Sequence, residues 1–390
     1  MKFHVEIEPT NQCNTRCLHC PHEAISRPSG KMTWETYQSV FEQLKTWCIA
    51  QTLDLSIEFA GMGEPLLNPL IYQFIQAASA VARTSLTTNA SALTPANVKK
   101  LVDAGLHQLT ISYNGNDPAV YELMMGGLNF DRARQNIAAA LAIARGSQMT
   151  IAANVSVASP TEPQLAQIRS FLEGSGFDTI YFSKCHNRGG FLKGTTICST
   201  PQPPVESERC DIFTNTLFVA WTGEVLSCCH DLGGENKIGD LIIQDLPSIL
   251  ERKAHIAVQG VRFRICETCN DMQRFMQDRT PDGRWLSEWV YDLYTAEQPD
   301  IQPDVSALSE WIFTLYEQQG QMPRLYRALV ARLQKSDRTI HALAQRRQAL
   351  ESSRSWRAMR RLQRLRLFLI PHASRREKLF YRLLKWLKIQ

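Results

Sequence analysis

The chain lacks any long apolar segment. Among its 390 residues, no run of about 18 or more uncharged apolar residues occurs, so the sequence predicts no transmembrane helix. The first eight residues carry charge and lack the apolar stretch of a signal peptide. We therefore expect a cytoplasmic protein with reduced thiols. Hydrophobic residues make up 44% of the chain, and this length predicts two or more domains, each with its own core.

Cysteine is absent after position 269. The eleven cysteines up to and including that position are an odd number, and the chain is long and has no export signal. These features disfavour a disulfide scaffold. Clustered cysteines in a cytosolic protein instead indicate metal binding. The cysteines stand at positions 13, 17, 20, 48, 185, 198, 210, 228, 229, 266 and 269.

Acidic residues are almost absent from the last 37 residues, which we call the basic tail (residues 354–390). The basic tail contains twelve Lys or Arg residues and a single acid, Glu377, whereas the whole chain carries a net charge of +5. Its end, residues 379–389, alternates apolar and basic residues like an amphipathic helix. We expect peripheral contact with the inner face of a membrane, and no nucleic-acid partner, because no nucleic-acid module is recognisable.

Strand-like and helix-like segments alternate six times in the first 185 residues, which predicts a parallel sheet with outer helices. The fold class is therefore α/β: a partial (β/α)6 TIM-like barrel at 1–185, a linker at 186–205, a small cysteine-bearing domain at 206–280, and a helical, basic extension at 281–390. The predicted strands are 3–8, 54–60, 84–88, 107–113, 149–157 and 178–184. The predicted helices are 33–50, 69–82, 94–104, 117–145 and 162–174. Ligands of such barrels bind at the carboxyl ends of the strands.

Three cysteines follow the first predicted strand with the spacing C-x3-C-x2-C: Cys13, Cys17 and Cys20. Three thiolates on one loop can bind three irons of a cubane cluster and leave the fourth open. A structural zinc site is the alternative, but such sites usually have four ligands in two pairs.

This segment resembles the signature of the radical S-adenosylmethionine (SAM) superfamily, with His19 at the aromatic position before the last cysteine. The resemblance implies that SAM chelates the open iron of a [4Fe-4S] cluster and is cleaved to a 5′-deoxyadenosyl radical. Residues 61–65, Gly-Met-Gly-Glu-Pro, are similar to the family's Gly-Gly-Glu-Pro-type motif despite Met62. The resemblance thus predicts SAM contacts at His19, Gly61, Gly63, Glu64, Asn89, Ser112 and Asn154.

The later cysteines Cys210, Cys228, Cys266 and Cys269 resemble the SPASM/twitch extension of radical SAM enzymes, with Gly223 in the C-x12-G-x4-C part. The family resemblance implies one auxiliary [4Fe-4S] cluster, as in proteins like 2-deoxy-scyllo-inosamine dehydrogenase, since no cysteine follows for a second cluster. A four-cysteine zinc site fits the same spacing. Cys229 could replace Cys228, although strand alternation would point it the other way.

The expected function is oxidation of a sugar, cyclitol or related polar substrate, free or carrier-linked, with an electron donor such as flavodoxin or ferredoxin. Residues 353–357, Ser-Arg-Ser-Trp-Arg, are similar to the tail of glycosyltransferases from surface-polysaccharide loci. Candidate catalytic proton acceptors after the sixth strand are Lys184, His186 and Arg188.

Two other functions remain open. A peptide-modifying maturase often carries a SPASM-type extension, but the first strand begins near residue 3 and leaves no space for a leader-binding domain. A zinc-binding, membrane-associated scaffold would contain zinc and would cleave no SAM.

Overall fold

The computed structural model describes residues 2–157, 162–192, 210–261, 263–271 and 273. Cys198, the later part of the predicted linker, and the predicted extension with its basic tail lie outside the described residues. Of the helices in the described ranges, none is long and apolar enough to cross a membrane.

Six parallel strands form the centre of the sheet, in the order β1-β3-β4-β5-β7-β8. Helices connect consecutive members, so the predicted partial (β/α)6 barrel is confirmed. The strands are β1 (Lys2–Ile7), β2 (Arg16–Cys17), β3 (Asp54–Phe59), β4 (Arg83–Thr88), β5 (Gln108–Ser112), β6 (Met125–Gly126), β7 (Thr150–Val157), β8 (Thr179–Lys184), β9 (Thr216–Val219), β10 (Glu224–Leu226) and β11 (Lys237–Asp240). The helices are α1 (Trp34–Ala50), α2 (Ile71–Ser79), α3 (Pro95–Asp103), α4 (Pro118–Met124), α5 (Phe130–Ala144), α6 (Glu162–Ser175), α7 (Asp211–Asn215) and α8 (Leu246–Gln259).

The two faces of the barrel strands differ in polarity. In β1, Val5 and Ile7 are fully buried in the apolar core that the strands share with the helices. Because side chains alternate along a strand, His4 and Glu6 face the other side, which we call the lumen. Other lumen residues are also polar: Thr87 Oγ1 donates to Glu58 Oε1 at 2.9 Å. A polar lumen suits a ligand site better than a packed interior.

The predicted helix 117–145 is wrong as a single element. The structure divides it into α4 and α5, and the short strand β6 lies between them. Gly127 has a φ of 90°, a conformation that a helix does not contain. The break matters because β6 pairs with β2, which carries Cys17.

The cysteine-bearing segment extends the barrel sheet. Strand β9 pairs in parallel with β1, and β10 and β11 follow in antiparallel order. Sequence periodicity could not reveal this pairing, because β9 and β1 are about 200 residues apart. The pairing places the second group of cysteines beside the first strand of the barrel.

Candidate active site

The Cys loop, residues 13–20, follows β1 at the carboxyl end of the barrel. Three contacts hold it there. The Leu18 amide donates to the Met124 carbonyl at 3.0 Å, and Asn89 Nδ2 donates to Asn14 Oδ1 at 3.0 Å. The Glu64 amide donates to the Gln12 carbonyl at 2.9 Å, directly before the loop.

The thiols of the Cys loop are close together. Thr15 Oγ1 lies 3.2 Å from Cys13 Sγ and 3.4 Å from Cys17 Sγ. Burial, together with the neighbouring thiols Cys20 and Cys13, raises the pKa of Cys17 to about 11. A positive centre bound by all three thiols would favour their thiolate forms, as iron does.

The glycine loop, residues 61–65, packs against the chain just before the Cys loop. A Cβ atom on Gly63 would overlap the Thr10 carbonyl oxygen and would lie 2.6 Å from the Gln12 carbonyl oxygen. Gly61 has a φ of 131°, and a Cβ atom there would lie 2.8 Å from Glu8 Cγ. Close backbone packing therefore requires glycine at position 63, and the backbone conformation and the Glu8 side chain favour it at position 61.

Gly63→Ala is expected to destabilise the protein by about 1–3 kcal/mol, because the new methyl group forces the backbone of the Cys loop to move. The same shift should lower the iron bound per chain after anaerobic reconstitution. Gly174→Ala is the matched control, since nothing lies within 4 Å of a Cβ there. Urea unfolding and iron analysis measure both effects, and equal stability of the two variants would contradict the prediction.

Glu64 anchors the ends of β3 and β4. Its buried carboxylate accepts hydrogen bonds from Thr88 Oγ1 at 2.8 Å, from the Asn89 amide at 2.8 Å and from the Leu66 amide at 3.2 Å. Burial raises its pKa, and these three donors oppose the shift. The Glu64 carboxylate thus connects the glycine loop to the end of β4, next to the predicted SAM position. Direct contact between Glu64 and SAM remains a prediction.

The other predicted SAM contacts lie at neighbouring strand ends. Ser112 pairs with Asn154 in the register of β5 and β7, and Asn154 Oδ1 is 3.5 Å from Ser183 Oγ. Burial and the Arg188 charge lower the pKa of His19 to about 4, so its ring is neutral. The structure therefore brings His19, Asn89, Ser112 and Asn154 to one end of the barrel.

Two further residues contact the Cys loop and were missed from sequence. Asn114 Nδ2 lies 3.3 Å from His19 Nε2 and 3.0 Å from Met125 Sδ. Met125 Sδ is also 3.9 Å from Cys17 Sγ. The position of Asn114 just after the predicted fourth strand was the only signal in the sequence.

The four later cysteines, which we call the auxiliary thiols (Cys210, Cys228, Cys266 and Cys269), also converge. Burial raises the pKa of Cys228 well above its usual range, and the other three auxiliary thiols raise it further. Cys210 directly precedes α7 and Cys228 follows β10, whereas Cys266 and Cys269 lie in and just after the short 3-10 helix Arg264–Glu267.

Both groups of thiols fit an iron–sulfur cluster. Besides their convergence, a residue adjacent in sequence to a thiol of each group has a buried polar atom with no hydrogen-bond partner among the described residues: His19 Nδ1, before Cys20, and Ser227 Oγ, before Cys228. Leaving a buried polar atom without a hydrogen bond costs folding free energy, so a bound group that pairs with these atoms would be stabilising. Hydrogen bonds to cluster sulfurs are a usual partner in such sites.

A buried hydrogen-bonded group, the histidine chain (His186, Asp271 and His230), lies next to the auxiliary thiols. His230 Nε2 is 2.8 Å and His186 Nε2 is 3.4 Å from Asp271 Oδ2. Burial lowers the pKa of His186 well below its usual value. Burial alone would raise the pKa of Asp271, but the two histidines hold it below its usual range. The histidine chain therefore places the Asp271 carboxylate between two imidazole rings.

The segment after β8 connects the barrel to the auxiliary thiols. The Asn187 amide donates to Asn270 Oδ1 at 2.6 Å, and the Asn270 amide donates to Asn187 Oδ1 at 3.3 Å. Between these contacts Arg188 has a φ of 49°, an uncommon conformation for a residue other than glycine. Of the predicted catalytic residues, His186 and Arg188 thus face this region. Lys184 ends β8, and its side chain lies outside the described atoms.

Comparison with known proteins decides the family. The family profile described as "Radical SAM superfamily" matches residues 7–152, and that of SPASM, an iron–sulfur cluster-binding domain, matches residues 210–271. The chain is a radical SAM enzyme with a SPASM domain. Its cofactors are therefore SAM, a [4Fe-4S] cluster and an auxiliary iron–sulfur cluster, as predicted.

Individual curated relatives match only part of the chain. The PqqA peptide cyclase of Bradyrhizobium diazoefficiens is 29% identical over 136 residues, which is 34% of either chain. The chain thus spans about a third of the length of that curated relative. Among solved structures, SuiB of Streptococcus suis bound to its precursor peptide SuiA is 15% identical with a TM-score of 0.52, covering 69% of this chain and 70% of SuiB. BtrN with AdoMet and 2-DOIA is 20% identical with a TM-score of 0.48, covering 71% of this chain and 96% of BtrN.

Proposed function

We propose that this radical SAM enzyme oxidises a sugar, cyclitol or related polar substrate held in the lumen. The observation that carries the proposal is the position of Arg188, in the turn after β8 that Asn187 joins by hydrogen bonds to Asn270, the residue next to Cys269. The Arg188 charge acts on His19 and Cys20 of the Cys loop and also on Cys229, next to the auxiliary thiols. A substrate beside Arg188 would therefore lie between the two thiol groups.

The bound cofactors would supply a 5′-deoxyadenosyl radical, which removes a hydrogen atom from a substrate carbon, and an electron acceptor for the carbon radical that results. The protein's own residues would then handle the proton. When a carbon bearing a hydroxyl group loses a hydrogen atom and an electron, the hydroxyl must release a proton to become a carbonyl. We assign this proton to His186, which is neutral and whose cationic form Asp271 stabilises at 3.4 Å.

The polarity of the lumen supports a hydroxyl-rich substrate. Glu6 and Glu58 face the lumen from neighbouring strands, and His4 Nδ1 lies 3.3 Å from Ser56 Oγ. Burial and the charge of Glu58 raise the pKa of Glu6 to about 8, so at neutral pH this carboxyl group is largely protonated. A carboxylic acid and neighbouring carboxylates can together donate to and accept from sugar hydroxyls.

The auxiliary thiols provide the sharpest test of oxidation. We expect the anaerobically reconstituted enzyme to bind about eight irons, and Cys266→Ala/Cys269→Ala to bind about four. The double variant should still form 5′-deoxyadenosine from SAM and dithionite but should yield no product two hydrogens lighter than the substrate. Screening would use free and nucleotide-linked hexoses and inositols, with mass spectrometry of the products.

Cys48→Ala is the matched control, because this buried cysteine lies on α1 and belongs to neither thiol group. It should retain about eight irons and full oxidation. Zinc instead of iron at the auxiliary thiols, or undiminished oxidation by the double variant, would refute the proposal.

A peptide substrate is the second candidate. It is supported by the similarity to the PqqA peptide cyclase over 136 residues and by the fold shared with peptide-bound SuiB. The same assay with peptides derived from neighbouring reading frames distinguishes the two, since a maturase would modify a peptide and leave the sugars unchanged.

The remaining proposals concern partners. The radical reaction needs a one-electron donor, for which we propose a flavodoxin or ferredoxin. We also propose that the enzyme works in the cytoplasm and that the basic tail holds it at the inner face of a membrane. Cosedimentation with anionic vesicles, with and without the tail, would test the last point.

A further inference from the structure

Lys253 is a buried lysine on α8, with only 8% of its surface exposed. Its Nζ donates to the Thr216 carbonyl at 2.9 Å and to the Thr214 carbonyl at 3.3 Å, both at the end of α7. The same nitrogen lies 5.2 Å from the centre of the Phe213 ring, a cation–π contact. Lysine is almost never buried to this extent without a partner for its charge.

Helix α7 connects Lys253 to the first auxiliary thiol. Cys210 is the residue directly before α7, and its carbonyl accepts from the Thr214 amide and from Thr214 Oγ1, each at 2.9 Å. A helix of five residues is only about 7.5 Å long. The ammonium group at one end of α7 is therefore close to the Cys210 ligand at the other end.

The aromatic ring beside Lys253 connects it to a second auxiliary thiol. The ring centres of Phe213 and Phe263 are 5.6 Å apart, with the ring planes tilted by 56°. The Phe263 carbonyl accepts from the Cys266 amide at 2.8 Å, at the start of the turn that carries the last two auxiliary thiols. Lys253 thus packs against the supports of two cluster ligands that are distant from each other in sequence.

The charge of Lys253 lacks a negative partner in the part of the chain that the structure describes. Its hydrogen-bond acceptors are carbonyl groups, and no described carboxylate pairs with it. Burial lowers the pKa of Lys253 to about 8, so the amine is still largely protonated at neutral pH. A buried cation without a counter-charge costs folding free energy. An iron–sulfur cluster bound by four thiolates is anionic and would supply that counter-charge.

We propose that Lys253 is the counter-charge of the auxiliary cluster and raises the reduction potential of that cluster. This inference rests on the proposed oxidation, in which the auxiliary cluster accepts an electron. Reduction adds one negative charge to the cluster, and a buried cation stabilises this charge far more than an exposed cation does. The charge and the exposure around a cluster are among the factors that set its potential.

The electron balance of the oxidation gives Lys253 its place in the reaction. After hydrogen abstraction, the carbon radical loses one electron to the oxidised auxiliary cluster, and the adjoining hydroxyl loses its proton to His186, which leaves a carbonyl. The electron then leaves the cluster for an oxidised flavodoxin- or ferredoxin-type protein. Lys253 contacts neither the substrate nor the transferred proton, so it is a positioning residue. It supports the ligand segments and favours electron transfer to the cluster.

A redox titration of the reconstituted full-length enzyme at pH 7, followed by EPR and without a substrate, tests the proposal. The signal that is missing from Cys266→Ala/Cys269→Ala identifies the auxiliary cluster. At a given potential, we expect Lys253→Met to shift the ratio of oxidised to reduced auxiliary cluster about tenfold toward the oxidised form. This shift is a fall of about 59 mV for a one-electron couple. Lys253→Arg keeps the charge and should keep the potential near that of wild type.

Arg252→Met is the matched control, because Arg252 precedes Lys253 on α8, is exposed, and loses the same unit of charge. Water weakens the effect of an exposed charge, so this variant should change the same ratio by less than about twofold. Equal potentials for Lys253→Met and Arg252→Met at equal iron content would overturn the proposal.

The metal content decides the remaining cases. If Lys253→Met loses about four irons and Lys253→Arg keeps them, the cluster requires the charge itself, as proposed. If both variants lose these irons, the shape of the lysine side chain supports the ligands, and the proposal is refuted. Zinc in place of iron in wild type would refute the proposed oxidation, whereas iron with an unchanged potential in Lys253→Met would refute only the role of Lys253.

Discussion

Replacing Cys13, Cys17 and Cys20 together by alanine is expected to remove about four of about eight irons and to reduce SAM cleavage to the level of free dithionite. The reason is that these thiols are the predicted ligands of the cluster whose open iron binds SAM. Their loop is held by the backbone contact from Leu18 to Met124 and by the Glu64–Gln12 contact directly before it, so it should keep its path without the thiols. Iron analysis and 5′-deoxyadenosine chromatography measure the two effects.

The auxiliary thiols provide the internal comparison for this variant. They are separate in sequence and belong to the SPASM part, so their iron should remain in the triple variant. Cleavage of SAM by the triple variant at a rate near that of wild type would overturn the assignment of the Cys loop.

The largest effect on stability is expected from Arg27→Met, which should lower the free energy of unfolding by about 3–5 kcal/mol. Arg27 forms a bidentate ion pair with Glu8: Nη1 donates to Oε2 at 2.7 Å and Nη2 donates to Oε1 at 2.9 Å. The Glu8 side chain is fully buried. Without the guanidinium group, the Glu8 carboxylate would be left as an uncompensated charge. Met replaces the aliphatic part of the side chain but not the charge.

This ion pair also joins the two domains. Glu8 accepts from the Met62 amide at 3.2 Å in the glycine loop, and Arg27 Nε donates to the Leu232 carbonyl at 3.2 Å in the SPASM part. Lys45→Met removes an exposed pair with Glu42 and should change stability by no more than about 0.5 kcal/mol. Equal urea midpoints for Arg27→Met and Lys45→Met would contradict the prediction.

The barrel could be predicted because each element carries a local signal. Val5 and Ile7 alternate with polar residues, which indicates a strand, and Thr94-Pro95 marks the start of a helix that the structure confirms as α3, with Thr94 as its cap. The helix 117–145 was predicted wrongly because its periodicity continues across two glycines whose effect depends on pairing with β2. Local patterns therefore identified the elements but not the break that supports the Cys loop.

The candidate site was predictable only where its residues lie together in sequence. The Cys loop and the glycine loop are short motifs, so their spacing was visible. Asn114, His230 and Asp271 follow strands or cysteines without a motif, and their contacts join residues 41 to 95 positions apart. Such contacts arise from chain topology and could not be inferred from spacing.

The sequence by itself determined the chemistry, because three closely spaced thiols can reach one cluster whatever the rest of the chain does. It also determined the alternation of strands and helices, since hydrophobic periodicity is a local property. Only the tertiary structure decided that β9 pairs with β1, and this pairing brings the segment with the auxiliary thiols and the histidine chain beside the first strand of the barrel. The physical reason is that hydrogen bonding between distant strands depends on the whole packed sheet, whereas thiol spacing depends on eight consecutive residues.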